Sequence, residues 1–298
     1  MSRRARVAAQ AKINLGLRVL AREASGYHQL ETVFARLALA DAVEVRITDG
    51  ARRVDMRGAD TGPLERNLAL RAAHAYIAAT GWPPGFEITV EKRIPIGAGL
   101  GGGSADAGAV LRALDALAPH PTGEDALLRL AAPLGADVPF LASGAALALA
   151  WGRGERMLRL PPLPERSVAL VQPGFAVSTA EAYGWLDAAR GDGRGDGRGD
   201  APPAPQVTGA ERFASWEAIA PLTANDFEPV VSAKHAGLPG IVQALQEAGA
   251  SIARMTGSGS TVYGIFALPP RLEELRVRVP GSVVLTTTAA SAAPVEIA

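Results

Sequence analysis

Apolar and polar residues alternate near the start of the chain. Within residues 12–20, Ile13, Leu15, Leu17 and Val19 are apolar, and Asn14, Gly16 and Arg18 fall between them. Successive side chains of a strand face opposite sides, so this pattern predicts a half-buried strand. Val43, Val45 and Ile47 alternate in the same way, and residues 52–57 fit the return strand of a hairpin. Residues 66–79, RNLALRAAHAYIAA, predict a helix closed by Gly81 and Pro83-Pro84. Phe86, Ile88 and Val90 alternate with Glu87, Thr89 and Glu91, a further one-sided strand. A glycine-rich stretch then opens a helix over about 105–118, and a second helical run covers 124–134.

Beyond this, residues 144–151 and 168–172 predict strands on either side of a proline-marked boundary at Pro161, Pro162 and Pro164. Residues 179–189 and 240–249 predict helices. Residues 253–266, ARMTGSGSTVYGIF, join a Gly/Ser turn to a strand. Segment 190–205, RGDGRGDGRGDAPPAP, has too little apolar content to fold by itself and is expected to be a flexible surface loop. Its repeated Arg-Gly-Asp is compositional and carries no adhesion reading. The last 30 residues hold few signals. One-sided strands mixed with helices favour an α+β fold over a doubly wound parallel sheet. Two lobes are expected, 1–160 and 161–298.

Composition narrows the function. The chain has 298 residues, with 30 Lys+Arg against 30 Asp+Glu. A balanced chain without a basic cluster is not expected to bind nucleic acid. There is no cysteine, which excludes disulfides, thiol catalysis and Cys-ligated metals and fits a cytoplasmic protein. Neither a signal peptide nor an apolar run long enough to span a membrane is visible, so no membrane partner is expected. Of the basic residues only Lys12, Lys92 and Lys234 are lysine. Such bias towards arginine asks of each lysine what arginine could not do there, and for Lys92 and Lys234 chance is the simpler answer.

The strongest local feature is Gly97-Ala98-Gly99-Leu100-Gly101-Gly102-Gly103-Ser104. Glycine admits positive φ and lets a ligand approach the backbone. With Ser104 as N-cap, the free N–H groups and the helix dipole converge on one spot suited to phosphate. A P-loop would end in Gly-Lys-Ser/Thr, which is missing here. The match to a dinucleotide loop is formal only: the preceding strand FEITVEK alternates, and the following helix leads to another helix.

PIGAGLGGGSADAG resembles the nucleotide-binding motif of the GHMP kinases. AKINLGL near the start resembles their first motif, and MTGSGSTVYGIF their third. AKINLGLRVLAREASGYHQLETVF, LALAD and GADVPF narrow the resemblance to the branch acting on 4-diphosphocytidyl-2-C-methyl-D-erythritol. It runs from about residue 9 to 266. Ala21 and Ser25 stand where that family usually has Gly and Asp. The resemblance implies a two-lobed fold, ribosomal protein S5 domain 2-like in the N-terminal lobe and ferredoxin-like in the C-terminal lobe. It implies transfer of the ATP γ-phosphate to a tertiary hydroxyl of the methylerythritol moiety, with Mg²⁺ arriving mainly with ATP, by a monomer or homodimer. Another small-molecule GHMP kinase, of mevalonate or homoserine type, and a non-catalytic sensor on the same fold are the rival readings.

The resemblance also implies roles. Asp137, which by residue type alone is either a turn cap or a base, becomes the catalytic base, and Lys12 the catalytic cation beside it. Pro95 and Gly97, Ala98, Gly99, Leu100, Gly101, Gly102, Gly103, Ser104 and Ala105 bind ATP, Ser104 being the candidate near Mg²⁺. Asp106 points away from the phosphates, holds Mg²⁺ through water, or serves the helix dipole. Tyr27 and His28 recognise the cytosine end, by stacking and by hydrogen bonding. Asn14, on the same strand face as Lys12, binds methylerythritol hydroxyls. Thr256, Gly257, Ser258 and Gly259 are either a plain turn or the third wall of the site, with Asn225-Asp226 as structural support.

Overall fold

In a computed structural model, residues 3–23, 25–191 and 209–298 are described. Of the expected 190–205 loop, Arg190 and Gly191 are among them, and Arg190 is the last residue of a helix instead. The rest of that loop lies outside the described residues.

The first sheet is built on two long antiparallel strands, β1 (Arg4–Arg22) and β2 (His28–Thr48). The expected half-buried strand is fully enclosed at its middle. From Ala9 to Leu15 both faces of β1 are covered, so Gln10, Lys12 and Asn14 are buried beside Ala11, Ile13 and Leu15. Polar residues placed there need partners, and the partners assemble the site.

Residues 52–57 form β3 (Arg52–Arg57), but not as the return strand of a hairpin. Helix α1 (Leu68–Thr80) intervenes before β4 (Gly85–Glu91), and β3 lies parallel to β4 at the sheet edge. The place beside β2 goes to β4, whose Phe86, Ile88 and Val90 are fully buried, whereas β3 is dominated by exposed Arg52, Arg53 and Arg57. Burial of an aliphatic face decides which strand takes the inner position. Asn67 caps α1 by accepting from the N–H groups of Ala69 and Leu70, and Gly81 closes it in the left-handed region.

Helix α2 (Gly102–Leu117) is buried almost all round. Its small residues let α4 (Val138–Ala142), which follows α3 (Glu124–Ala131), press against it. A Cβ at Gly108 would sit 2.7 Å from the backbone of Leu141 and Ala142. Strand β5 (Leu147–Gly152) pairs with the first part of β2, and β6 (Arg156–Leu160) pairs with β5.

The second sheet contains β7 (Ser167–Gln172), β8 (Ile252–Met255), β9 (Val262–Phe266) and β10 (Ser282–Thr287). Its order is β10-β7-β9-β8, all antiparallel. Helices α5 (Thr179–Arg190), α6 (Trp216–Ile219), α7 (Phe227–Lys234) and α8 (Leu238–Glu247) separate β7 from β8, and α9 (Leu272–Arg278) separates β9 from β10. This is the split β-α-β arrangement of a ferredoxin-like lobe. Strand β7 alternates between two cores: Val168 and Leu170 join the core of the first sheet, while Ala169 and Val171 face Phe227, Val231 and Leu245. The featureless C-terminal stretch edges both sheets, because β11 (Val295–Ile297) returns to pair with β1.

Candidate active site

A cleft of about 490 Å³ opens where β1, the glycine loop, α4, α5 and the 257–258 turn meet. Gly97, Gly99 and Gly101 have φ of 68°, 73° and 73°. The fit is tight: a Cβ on Gly99 would lie 2.5 Å from the Thr256 carbonyl oxygen, and one on Gly101 would lie 3.0 Å from Lys12 Cε. Helix α2 begins at Gly102 with Gly101 as its cap. Ser104 therefore lies within the first turn and is not the N-cap, because positive φ at Gly101 lets the chain enter the helix three residues earlier. The first intrahelical bond is donated by Ala105 N–H to Gly101 O, at 2.8 Å. Gly102, Gly103 and Ser104 thus present their N–H groups ahead of the helix, while Ala105 is buried with its N–H engaged and does not line the cleft.

Lys12 and Asn14 share one face of β1. The Lys12 ammonium donates to Asn14 Oδ1 at 2.8 Å and lies 3.3 Å from Asp137 Oδ2. Its side chain is 3% exposed, that of Asp137 29%. Lys12 N–H also donates to Leu100 O at 3.0 Å, tying the strand to the glycine loop. Asp137 stands at the start of α4 but makes no side-chain capping bond. Its carboxylate faces Lys12 and the cleft.

Asn14 is locked from several sides. Its Nδ2 donates to Thr32 Oγ1 at 2.8 Å, and its Oδ1 accepts from Lys12 and from Thr256 Oγ1 at 3.3 Å. Asn14 N–H donates to Thr256 Oγ1 (3.0 Å), and Tyr263 OH donates to Asn14 O (3.1 Å). One amide hydrogen of its side chain is left over. Asn225 Nδ2 donates to Met255 O and Gly257 O, at 2.8 and 2.9 Å, fixing the 255–257 turn. The three motifs are therefore in contact. Gly257 and Ser258 line the cleft, while Thr256 and Gly259 brace it from behind.

The cytosine-end candidates are placed differently. Neither Tyr27 nor His28 lines the cleft, which reaches only as far as Leu30, Thr179 and Tyr183 on that side. His28 stacks on Tyr183 with ring centroids 4.6 Å apart, and its Nε2 meets Asp187 Oδ1 at 2.8 Å. Tyr27 is 60% exposed, just beyond.

Other residues were not singled out by the sequence pattern. Lys92 is not an incidental lysine. Buried beneath Gly102, its ammonium bridges Asp41 and Asp106, the latter at 2.7 Å. Asp41 Oδ1 also accepts from the N–H groups of Arg93 and Ile94, at 2.5 and 2.8 Å. Asp106 Oδ1 has no partner among the described residues. Burial, with Asp41 alongside, pushes the Asp106 carboxyl up to about 7 against the pull of Lys92. Arg36 is buried too. It donates to the carbonyls of Phe140, Ser143 and Ala145 and so fixes the end of α4 beyond Asp137. The far end of the cleft is lined by Met56, Thr61, Asn67, Leu68, Pro95 and Ile96. The scarcity of lysine was the one available signal for Lys92. Residues such as Met56 and Tyr183 gave none, because only folding brings them to the cleft.

Two family models match the chain, GHMP kinases N terminal domain over residues 67–145 and GHMP kinases C terminal over 209–283. A 4-diphosphocytidyl-2-C-methyl-D-erythritol kinase of Solibacter usitatus is 41% identical over 89% of this chain and 82% of its own. One of Pelotomaculum thermopropionicum is 41% identical over 87% of this chain and 88% of its own. A crystal structure of a 4-(cytidine 5'-diphospho)-2C-methyl-D-erythritol kinase superposes with a TM-score of 0.73 at 36% identity, covering 95% of this chain and 99% of that one. With the three motifs in order and closing one cleft, the chain belongs to the GHMP kinases and, within them, to the family of 4-diphosphocytidyl-2-C-methyl-D-erythritol kinases.

Proposed function

We propose that this protein transfers the γ-phosphate of ATP to the 2-hydroxyl of 4-diphosphocytidyl-2-C-methyl-D-erythritol, in non-mevalonate isoprenoid precursor synthesis. The observation that carries the chemistry is the Lys12–Asp137 pair, 3.3 Å apart beside the phosphate cradle. Asp137 accepts the hydroxyl proton as the oxygen attacks the γ-phosphorus, the bond to the β-phosphate oxygen breaks, and ADP leaves. Lys12, 3.3 Å from Asp137 Oδ2, offsets the charge that develops on the transferred group. The N–H groups of Gly102 to Ser104 hold the phosphates. The purine then takes the apolar end at Met56, Leu68 and Ile96, and the second substrate approaches from the side of Tyr183. Asn14 offers its one unused amide hydrogen to the substrate hydroxyls.

Among the described residues no group of three or more His, Asp or Glu could cage a metal ion, and Asp106 is engaged by Lys92. The donors present fit an Mg²⁺ carried in on the phosphates, with the Ser104 hydroxyl as the side-chain candidate. When bound, it neutralises phosphate charge. The two walls of the cleft we take as lobes 1–160 and 161–298, with β11 crossing back.

The test is ADP release with Mg-ATP and each of four alcohols: the cytidyl substrate, methylerythritol phosphate, mevalonate and homoserine. Release with the cytidyl compound alone is expected. Release with mevalonate or homoserine alone would overturn the substrate, and binding of ATP without turnover of any of the four would favour a sensor.

A further inference from the structure

The loop that carries Tyr27 is gripped from outside by one residue. Within it, Glu23 N–H donates to Tyr27 O (2.7 Å) and Gly26 N–H to Glu23 O (2.9 Å), which closes a tight turn. Arg153, between β5 and β6, reaches this turn through three contacts. It pairs with the Glu23 carboxylate, donates to Ser25 Oγ at 3.2 Å, and lays its guanidinium 4.3 Å from the centre of the Tyr27 ring. Ser25 Oγ donates in turn to the same Glu23 carboxylate, at 2.9 Å. Sheet register imposes this meeting. Gly152 lies opposite Leu30 in the antiparallel β5–β2 pairing, so the next residue continues towards Gln29 and the turn that carries Tyr27. Arg153 N–H donates to Glu155 Oε2 at 2.6 Å, which holds its own turn in place.

With 60% of its surface exposed, Tyr27 has little core to orient its ring. A guanidinium is planar, so it stacks on an aromatic face while its N–H edge pairs with a carboxylate. Arg153 does both. It sits over the Tyr27 ring, and Tyr27 still keeps 60% of its surface exposed, beside His28, which stacks on Tyr183 at the cleft end. His28 is held separately, by Asp187 and Tyr183.

We propose that Arg153 is a positioning residue that presents the ring of Tyr27 to the cytosine and so sets the affinity for the cytidyl end of the substrate. This rests on the substrate assigned above. The experiment is steady-state kinetics of the full chain with the cytidyl substrate, for wild type, Arg153→Ala, Arg153→Lys, Tyr27→Ala and the Tyr27→Ala/Arg153→Ala pair. An exposed cation–π contact predicts that Arg153→Ala raises KM for the cytidyl substrate about two- to fivefold, with kcat and KM for ATP unchanged. Arg153→Lys should resemble the alanine variant, because an ammonium cannot stack and pair at once. In the Tyr27→Ala background, removing Arg153 should add nothing, since a positioning residue acts only through what it positions. An unchanged KM in Arg153→Ala, full recovery with lysine, or additive losses in the double variant would each overturn the proposal. Failure of the wild type to turn over the cytidyl compound would instead overturn the substrate assignment beneath it.

Discussion

Asp137 is partly open to solvent and faces an ammonium that is not, an exposure that suits the base proposed for it. Asp137→Asn keeps the shape and removes the proposed base. Turnover should fall by a factor on the order of 10² or more, while nucleotide affinity measured by calorimetry stays within about threefold, since no phosphate contact is assigned to it. Retained turnover would remove Asp137 from the mechanism. Asp106 supplies a second test through pH. Its carboxyl titrates near 7 in the folded chain against an ordinary 3.8. The native state therefore binds the extra proton between these values, and stability declines as pH rises from about 4 to 7 and levels beyond. In Asp106→Asn that part of the decline should vanish, a change of roughly 2–4 kcal/mol in the variant-minus-wild-type difference between pH 4 and pH 8. Urea titrations at several pH values check it, and identical pH trends in the two proteins would contradict the assignment. Asp106 also shows where residue-level reading stops. Its spacing from the glycines was visible, but Lys92, just beyond β4, and Asp41 in β2, which shares that ammonium, meet it only in the fold.

The glycine loop was the most legible element, because positive φ at close intervals leaves few other residues possible. What the pattern could not give is which glycines also meet a neighbour. At Gly97 an added Cβ would meet nothing within 4 Å, whereas at Gly99 it would fall 2.5 Å from Thr256 O. Both have positive φ. Gly97→Ala should therefore cost only the backbone strain, about 1 kcal/mol. Gly99→Ala must also push the loop off the third motif, which should raise KM for ATP several-fold more than Gly97→Ala does. Equal effects in the two variants would mean that the Gly99–Thr256 contact does not seat the loop. The helix start misplaced at Ser104 has the same origin: a serine before an apolar run is a good cap by type, but Gly101 had already turned the chain. The hairpin expected at 52–57 failed because local alternation says that a strand exists and nothing of its neighbour. That choice belongs to the buried faces of β2 and β4.

At the scale of the whole molecule, the order of elements and the three motifs were readable, and the closure of the sheets was not. The C-terminal stretch has little periodicity, since a three-residue edge strand offers almost none to read. Yet β11 covers the outer edge of β1, with Ala5, Arg6 and Val7 opposite Ile297, Glu296 and Val295. Ala293 N–H donates to Gln10 Oε1 at 2.7 Å, and Arg112 donates to Ala293 O. The first of these bonds reaches β1 two residues before Lys12 and the second ties the same segment to α2, so the C-terminal stretch steadies the strand that carries the site. Ending the chain at Ala292 would leave an edge of β1 unpaired and the side chain of Gln10 without its partner. Each lost bond contributes about 1 kcal/mol, so the truncated chain should lose roughly 2–5 kcal/mol of stability, read as a lower urea midpoint. An open edge is also a template for pairing with another chain, so concentration-dependent self-association should appear in light scattering. Saturating ATP should narrow the stability gap little, because the ligand binds the folded form of both proteins alike. A truncated chain with an unchanged urea midpoint would show that β1 holds its place through β2 and α2 alone.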